Sequence, residues 1–186
     1  MKKIIYIALA LTFCIVAISV FSATEENTVY YNYSAKSMTI NKKEGYTVLK
    51  GNVKAIKLDA QKKETGEYVN SDQLTIYFKR DEKGELTDEV TRTEAMGNVK
   101  MKQGDMTITC LRAVMIYEPE EVINMEGSKE SPAIADDGKN RIEAPIIKYF
   151  RKDDRLEAEG DVTGQITIKE KKSEENKEEN KEKTGK

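Results

Sequence analysis

Four segments of this chain repeat one design: apolar and polar residues alternate, and a glycine stands at the centre on the apolar side. The first is Val48-Leu49-Lys50-Gly51-Asn52-Val53-Lys54. The second is Glu94-Ala95-Met96-Gly97-Asn98-Val99-Lys100, and the third is Glu157-Ala158-Glu159-Gly160-Asp161-Val162. Asn124-Met125-Glu126-Gly127-Ser128 is a degenerate copy, and in chain order the four glycines lie 46, 30 and 33 residues apart. A period of two places every apolar side chain of a strand on one face and every polar one on the other, which no helix can do. A repeat of one such unit cannot bury its apolar face alone, so the copies must pack beside one another.

Each copy follows a second strand-like element. Lys36-Ser37-Met38-Thr39-Ile40 resembles Asp72-Gln73-Leu74-Thr75-Ile76-Tyr77-Phe78, and the series continues in Ala113 to Tyr117 and in Pro145 to Phe150. Met106, Ile108 and Cys110 alternate with Thr107 and Thr109 in the same way. The gaps at Asn41 to Gly45, Lys79 to Asp88, Glu118 to Glu121 and Arg151 to Arg155 hold the Gly, Asp and Asn of turn chemistry. Apart from a short turn after Thr24, nothing beyond the first 23 residues carries a helical stripe. The expectation is an all-β fold of repeated antiparallel strands.

An interior glycine weakens a strand, so its recurrence marks a bulge, a bend or a close approach of backbone. Bends at corresponding places would fold the sheet over along one line, giving a V-shaped section with an apolar groove. The competing reading is that these glycines cap tight turns.

The two ends differ from this middle. Met1, Lys2 and Lys3 precede an uncharged apolar run from Ile4 to Ala23, which reads as a secretory signal at residues 1–23 with cleavage near Ser22 or Ala23, better after Ser22. The run is also long enough to span a bilayer as an uncleaved anchor with its lysines inside. Cys14 is not a lipoprotein site, because Phe13 stands where Gly or Ala is required. Residues 169–186 are almost entirely Lys, Glu, Asn, Ser, Thr and Gly. That composition reads as a disordered charged tail, with a marginal charged helix as the alternative. Residues 24–168 then form one domain of some 145 residues.

Composition narrows the chemistry. With 31 basic and 33 acidic residues the chain has no nucleic-acid footprint. It has no His, which removes Ser-His and Cys-His nucleophile pairs and the commonest transition-metal ligand. After cleavage Cys110 is the remaining cysteine, read as a small buried apolar residue. No catalytic group, cofactor or metal site is expected. The best carboxylate pairs for an enzyme or carbohydrate-binding module, Asp81-Glu82, Asp88-Glu89 and Asp153-Asp154, fall in turns beside Lys or Arg and read as solvated loop.

Leu49-Lys50-Gly51-Asn52-Val53, Ala95 to Met101, Gln103-Gly104-Asp105-Met106-Thr107-Ile108 and Glu157 to Val162, behind a signal segment, resemble the LptA/OstA-like family over about Tyr33 to Ile168. The resemblance implies a twisted open β-jellyroll whose interior takes the acyl chains of lipopolysaccharide. It implies a periplasmic bridge between inner and outer membranes, built by head-to-tail edge-strand pairing with itself and with LptC-like and LptD-like envelope proteins. An inner-membrane-anchored LptC-like subunit is the alternative if residues 4–23 stay in place. The charged tail and the long turn from Lys79 to Asp88 depart from the family pattern.

Groove candidates are the inward apolar set Leu49, Val53, Leu74, Ile76, Phe78 and Val99, continued by Met101, Ile108, Met115, Ile123, Ile147 and Val162. Each could equally be ordinary sandwich core. Met101, Met106 and Met115 suit varied chains through their flexible thioethers. Lys50, Lys54, Lys100 and Lys102 could meet lipid phosphates, or simply form a solvated face.

Overall fold

The computed structural model describes residues 29–168. The signal or anchor reading of residues 1–23 and the tail reading of residues 169–186 lie outside them. The described residues form twelve antiparallel strands and no helix. These are β1 (Tyr30–Ser34), β2 (Ser37–Asn41), β3 (Tyr46–Leu58), β4 (Glu64–Arg80), β5 (Leu86–Gln103), β6 (Met106–Ile116), β7 (Val122–Glu126), β8 (Ala133–Asp136), β9 (Arg141–Ala144), β10 (Ile146–Phe150), β11 (Arg155–Glu159) and β12 (Thr163–Gln165).

Pairing resolves them into two half-sheets that share the long strands. One half runs β2-β3-β4-β5-β6-β7-β10-β11, using the residues around Leu49, Leu74, Ala95 and Ala113. The other runs β1-β3-β4-β5-β6-β8-β9-β12, using the opposite ends of the same long strands. Each rung therefore crosses from one half to the other, either as one long strand or as two short ones. The crossing points form a single line: β1 to β2, Gly51-Asn52, Asp72, Gly97-Asn98, Leu111, β7 to β8, Pro145 and Gly160.

The glycine repeat is the chemistry of that line. Registers slip between Lys50 and Val53 and between Met96 and Val99, so Gly51-Asn52 and Gly97-Asn98 bulge out of their ladders. Gly97 and Asn98 have φ of 74° and 48°, and Gly51 and Asn52 repeat the pair at 81° and 50°. Asn tolerates this left-handed region better than most residues, and Asn98 Nδ2 also donates to Asp72 Oδ2 at 2.8 Å on the next rung. The degenerate copy behaves differently. At Gly127 the chain leaves the sheet, and a Cβ there would stand 2.5 Å from the Pro132 carbonyl carbon as the loop returns into β8. These four glycines therefore mark the bend rather than cap tight turns.

Side chains from both halves pack in one core, so the halves close on each other as a V. In the first half Leu49, Leu74, Ala95, Ala113, Met125 and Ile147 stand side by side in register, all at most 3 % exposed. Val53, Val99, Met101 and Ile108 answer them from the other half. Each such aliphatic side chain contributes roughly 1.5–3 kcal/mol by leaving water. On the outer face Arg112 joins three strands, with Nε 2.6 Å from Glu94 Oε1 and Nη1 2.7 Å from Glu126 Oε1.

One expectation about the loops is corrected. The Lys79 to Asp88 turn is short, because β4 continues to Arg80 and β5 begins at Leu86. Asp81 Oδ1 accepts the backbone N–H of Lys83 and of Glu85, at 2.9 and 2.8 Å, and closes the turn locally. Thr87 Oγ1 donating to the Lys79 carbonyl then ties the strands together beyond it.

Candidate functional site

The two half-sheets enclose a cleft of about 600 Å³, lined by β1 and β3 through β7, with Arg151 at its end. Its floor is apolar. Leu49, Leu74 and Ile76 form one wall, and Ala55 and Val69 face them from the other half. Farther along, Thr93, Met115 and Ile123 continue the first wall, and Tyr31 and Tyr33 of the edge strand β1 flank the near end.

The rim is polar and internally paired. Lys57 Nζ lies 2.9 Å from Glu67 Oε2, which also accepts from Gln103 Nε2 at 3.2 Å. Arg151 Nη1 lies 3.0 Å from Glu121 Oε2. Glu89, another rim residue, is 2.7 Å from Lys79 Nζ. Both signs of charge are therefore present, and neither dominates.

Two tyrosines register the low polarity inside. Burial first, then the neighbouring Tyr117 and Glu67, push the Tyr31 phenol up to about 12, and Arg151 acts in the opposite sense. Tyr31 is nonetheless 54 % exposed as a residue, so its ring lies open along one side while its hydroxyl reaches into the cleft. Burial also raises the Tyr117 phenol, whose oxygen is 3.4 Å from Thr93 Oγ1. A site of this kind can hold an apolar chain along its floor and a polar group at its rim.

The sequence-derived groove residues separate into three groups. Leu49, Leu74, Ile76, Met115 and Ile123 line the cleft. Val53, Val99, Met101, Ile108 and Ile147 face inward but are at most 2 % exposed and fill the core outside the lining. Phe78 and Val162 are neither in the lining nor in the buried core. Phe78 lies beyond a register slip opposite Val90, and Val162, 49 % exposed, precedes the edge strand β12 with no further rung to cover it. Of the three methionines, Met115 is in the lining. Lys50, Lys54 and Lys100 are exposed on the outer face.

Sequence reasoning missed Tyr31, Tyr33, Val69, Tyr117 and the rim pairs. The alternation Tyr31, Tyr33 in β1 was a usable signal for the first two. The carboxylate pairs weighed for catalysis are occupied otherwise: Asp81 holds its turn, Glu89 meets Lys79, and Asp154 Oδ1 accepts the Tyr149 hydroxyl at 3.0 Å.

No protein-family model and no curated protein matches the sequence. The architecture is nevertheless a known one, the open, folded-over β-jellyroll of the LptA type. The crystal structure of LptH, the LptA homologous periplasmic component of the conserved lipopolysaccharide transport device from Pseudomonas aeruginosa, matches with a TM-score of 0.54 at 14 % identity. The match covers 75 % of this chain and 96 % of LptH. At that identity the likeness is one of fold.

Proposed function

We propose that this chain is a periplasmic lipopolysaccharide-transport component of the LptA kind. Acyl chains lie in the cleft between the half-sheets while the saccharide stays in water. The observation that carries this reading is an apolar floor under a mixed-charge rim, inside a fold shared with a lipopolysaccharide-transport protein. Each buried methylene contributes ~0.8 kcal/mol, so such a cleft can carry a lipid through water without a catalytic group.

The two open edges support a bridging role. One is formed by β1 and β2, the other by β11 and β12. Edge strands are usually blunted by charge or bulges. Here Tyr30, Met38 and Ile40 are exposed at one edge and Val162, Ile166 and Ile168 at the other. Pairing one edge with the other on the next copy is a heterologous contact that grows as an open filament, and LptC-like and LptD-like proteins would cap its ends. Light scattering should show association that rises with concentration. If residues 4–23 stay in the mature protein, the same domain serves as an anchored LptC-like subunit, and intact mass from cells decides between the two.

The test of lipid binding is site-specific photo-crosslinking in cells. A photoreactive residue at Ile76 or Val69 should capture lipopolysaccharide, and one at Met96 or Lys100 on the outer face should not. Equal capture on both faces overturns the proposal.

A further inference from the structure

The apolar wall of the cleft is interrupted by one hydroxyl. Among the described residues three polar side chains are buried, Ser71, Thr75 and Thr93. Ser71 Oγ donates to the Gln73 carbonyl at 2.9 Å, and Thr75 Oγ1 accepts from Gln73 Nε2 at 3.4 Å. Thr93 is the one of the three that lines the cleft. In register it stands between Ile76 of β4 and Met115 of β6, with Ile123 of β7 next, so a valine there would complete an aliphatic row. Other threonines of β5 turn to the backbone: Thr87 Oγ1 donates to the Lys79 carbonyl and Thr91 Oγ1 to that of Tyr77. Thr93 turns instead toward Tyr117, across the cleft lining.

Tyr117 follows β6 and is held there by its backbone N–H, which donates to the Thr91 carbonyl at 3.1 Å. Its hydroxyl is 3.4 Å from Thr93 Oγ1, well beyond the ~2.7–2.8 Å usual between two hydroxyl oxygens. Such a pair carries two protons and can use only one between its own oxygens. Neither hydroxyl bonds a carbonyl or a carboxylate among the described residues. That leaves the second proton available to a ligand oxygen. Tyr31 brings a further hydroxyl toward Tyr117 from the edge strand, and burial raises both phenols. A hydroxyl drawn out of water without an acceptor costs free energy, which a bound acceptor oxygen restores. The rim pair of Arg151 and Glu121, 3.0 Å apart, stands close enough to act on Tyr117.

Resting on the reading of the cleft as a lipid site, we infer that Thr93 and Tyr117 bind the acyl carbonyl of the lipid, so that the cleft selects acyl chains over plain alkyl chains. The carbonyl oxygen, an acceptor with two lone pairs and no proton of its own, lies against the two hydroxyls. From there the hydrocarbon runs on over Ile76, Leu74 and Leu49, and the head group leaves past Arg151 and Glu121. Ester and amide linkages present the same oxygen, and both serve. An ether of the same length puts a methylene where the carbonyl was, and the hydroxyls then face a group that accepts nothing.

Dodecanoyl lysophosphatidylcholine and its O-dodecyl ether differ at that one position. Calorimetric titration of the full chain, stripped of bound lipid, with each below its micelle concentration gives the two affinities. Where no hydrogen bond forms, the extra methylene favours the ether by roughly fourfold. The ester should nevertheless bind roughly tenfold tighter than the ether, and an amide-linked counterpart should share that advantage. An ester that binds no tighter than the ether overturns the inference and leaves the lipid-binding reading intact, whereas binding by neither overturns both. Tyr117→Phe should bring the ratio of ester to ether affinity from about ten down to about one or below. Thr93→Val, which keeps the shape of the wall, should lower that ratio about threefold or more. A side chain that only shapes the wall would weaken both lipids in proportion, so a ratio preserved in both variants removes this pair as the place where the carbonyl binds.

Discussion

Replacing Gly97 by alanine tests whether the bend is built as described. Gly97 has φ of 74°, where an L-residue costs roughly 1–2 kcal/mol. A Cβ there would also lie 2.9 Å from the Cβ of Asp72, with the carboxylate closer still, so Asp72 must move. Moving it sacrifices the 2.8 Å hydrogen bond from Asn98, exposed and therefore worth about 1 kcal/mol. Alanine recovers about 0.4–1 kcal/mol by restricting the unfolded chain. The sum is a loss of about 2 kcal/mol, or about 6–8 °C in Tm for a domain of this size. Gly84 is the internal control: its φ is 81°, but nothing lies within 4 Å of its Cβ position. Gly84→Ala should lose only the dihedral part, about 1 kcal/mol or less. Urea unfolding followed by far-UV circular dichroism measures both, and Gly97→Ala/Asp72→Ala should be less costly than the two single losses added. If Gly97→Ala costs no more than Gly84→Ala, the rungs do not meet at Asp72 and the account of the bend is wrong.

Other consequences follow from single side chains. Burial pushes the Cys110 thiol from 9.0 up to about 12, so the folded state keeps a proton that the unfolded chain releases earlier. That contribution is fully present below about pH 9 and is lost as pH rises toward 12, with an upper limit of about 4 kcal/mol. Stability measured between about pH 9 and 10, below the range where Tyr31 contributes, should fall in the wild type and stay flat in Cys110→Ala. Arg112→Met leaves Glu94 and Glu126 facing each other without their shared cation, and should cost about 1–2 kcal/mol by chemical denaturation. An effect of Arg112→Met that is unchanged in high salt would show that packing, not charge, holds the three strands there.

The period of two carried most of the fold, because strand parity is a local property. Leu49, Val53, Ala95, Val99, Met101 and Ile108 face inward as their alternation requires, and all are buried. Which of them line a cleft and which fill a core depends on partners far away in sequence. Leu74 meets Leu49 across one ladder and borders open space, whereas Met101 meets Ile108 across another and is sealed. Val162 lies on the last rung with nothing beyond it to cover its side chain, and Phe78 pairs with Val90 across a register slip near the end of its ladder. The alternation of Tyr31 and Tyr33 marks a shared face, but their place at the cleft comes from pairing with the far half of β3.

The bend itself stayed legible for a further reason. Gly51-Asn52 and Gly97-Asn98 each spend two residues in left-handed geometry, so the inward pairs Leu49/Val53 and Ala95/Val99 are four positions apart, whereas the inward pairs Ser71/Leu74 of β4 and Cys110/Ala113 of β6 beside them are three apart. The bulged strands carry one more residue through the bend than their neighbours, which is the slip seen in their registers, and in both kinds of strand the two arms face the same interior. The cleft therefore depends less on any apolar side chain along it than on these paired left-handed residues. Lengthening the bend by one residue after Asn98 should abolish the fold, whereas trimming Leu74 to alanine should cost stability and leave the two halves closed.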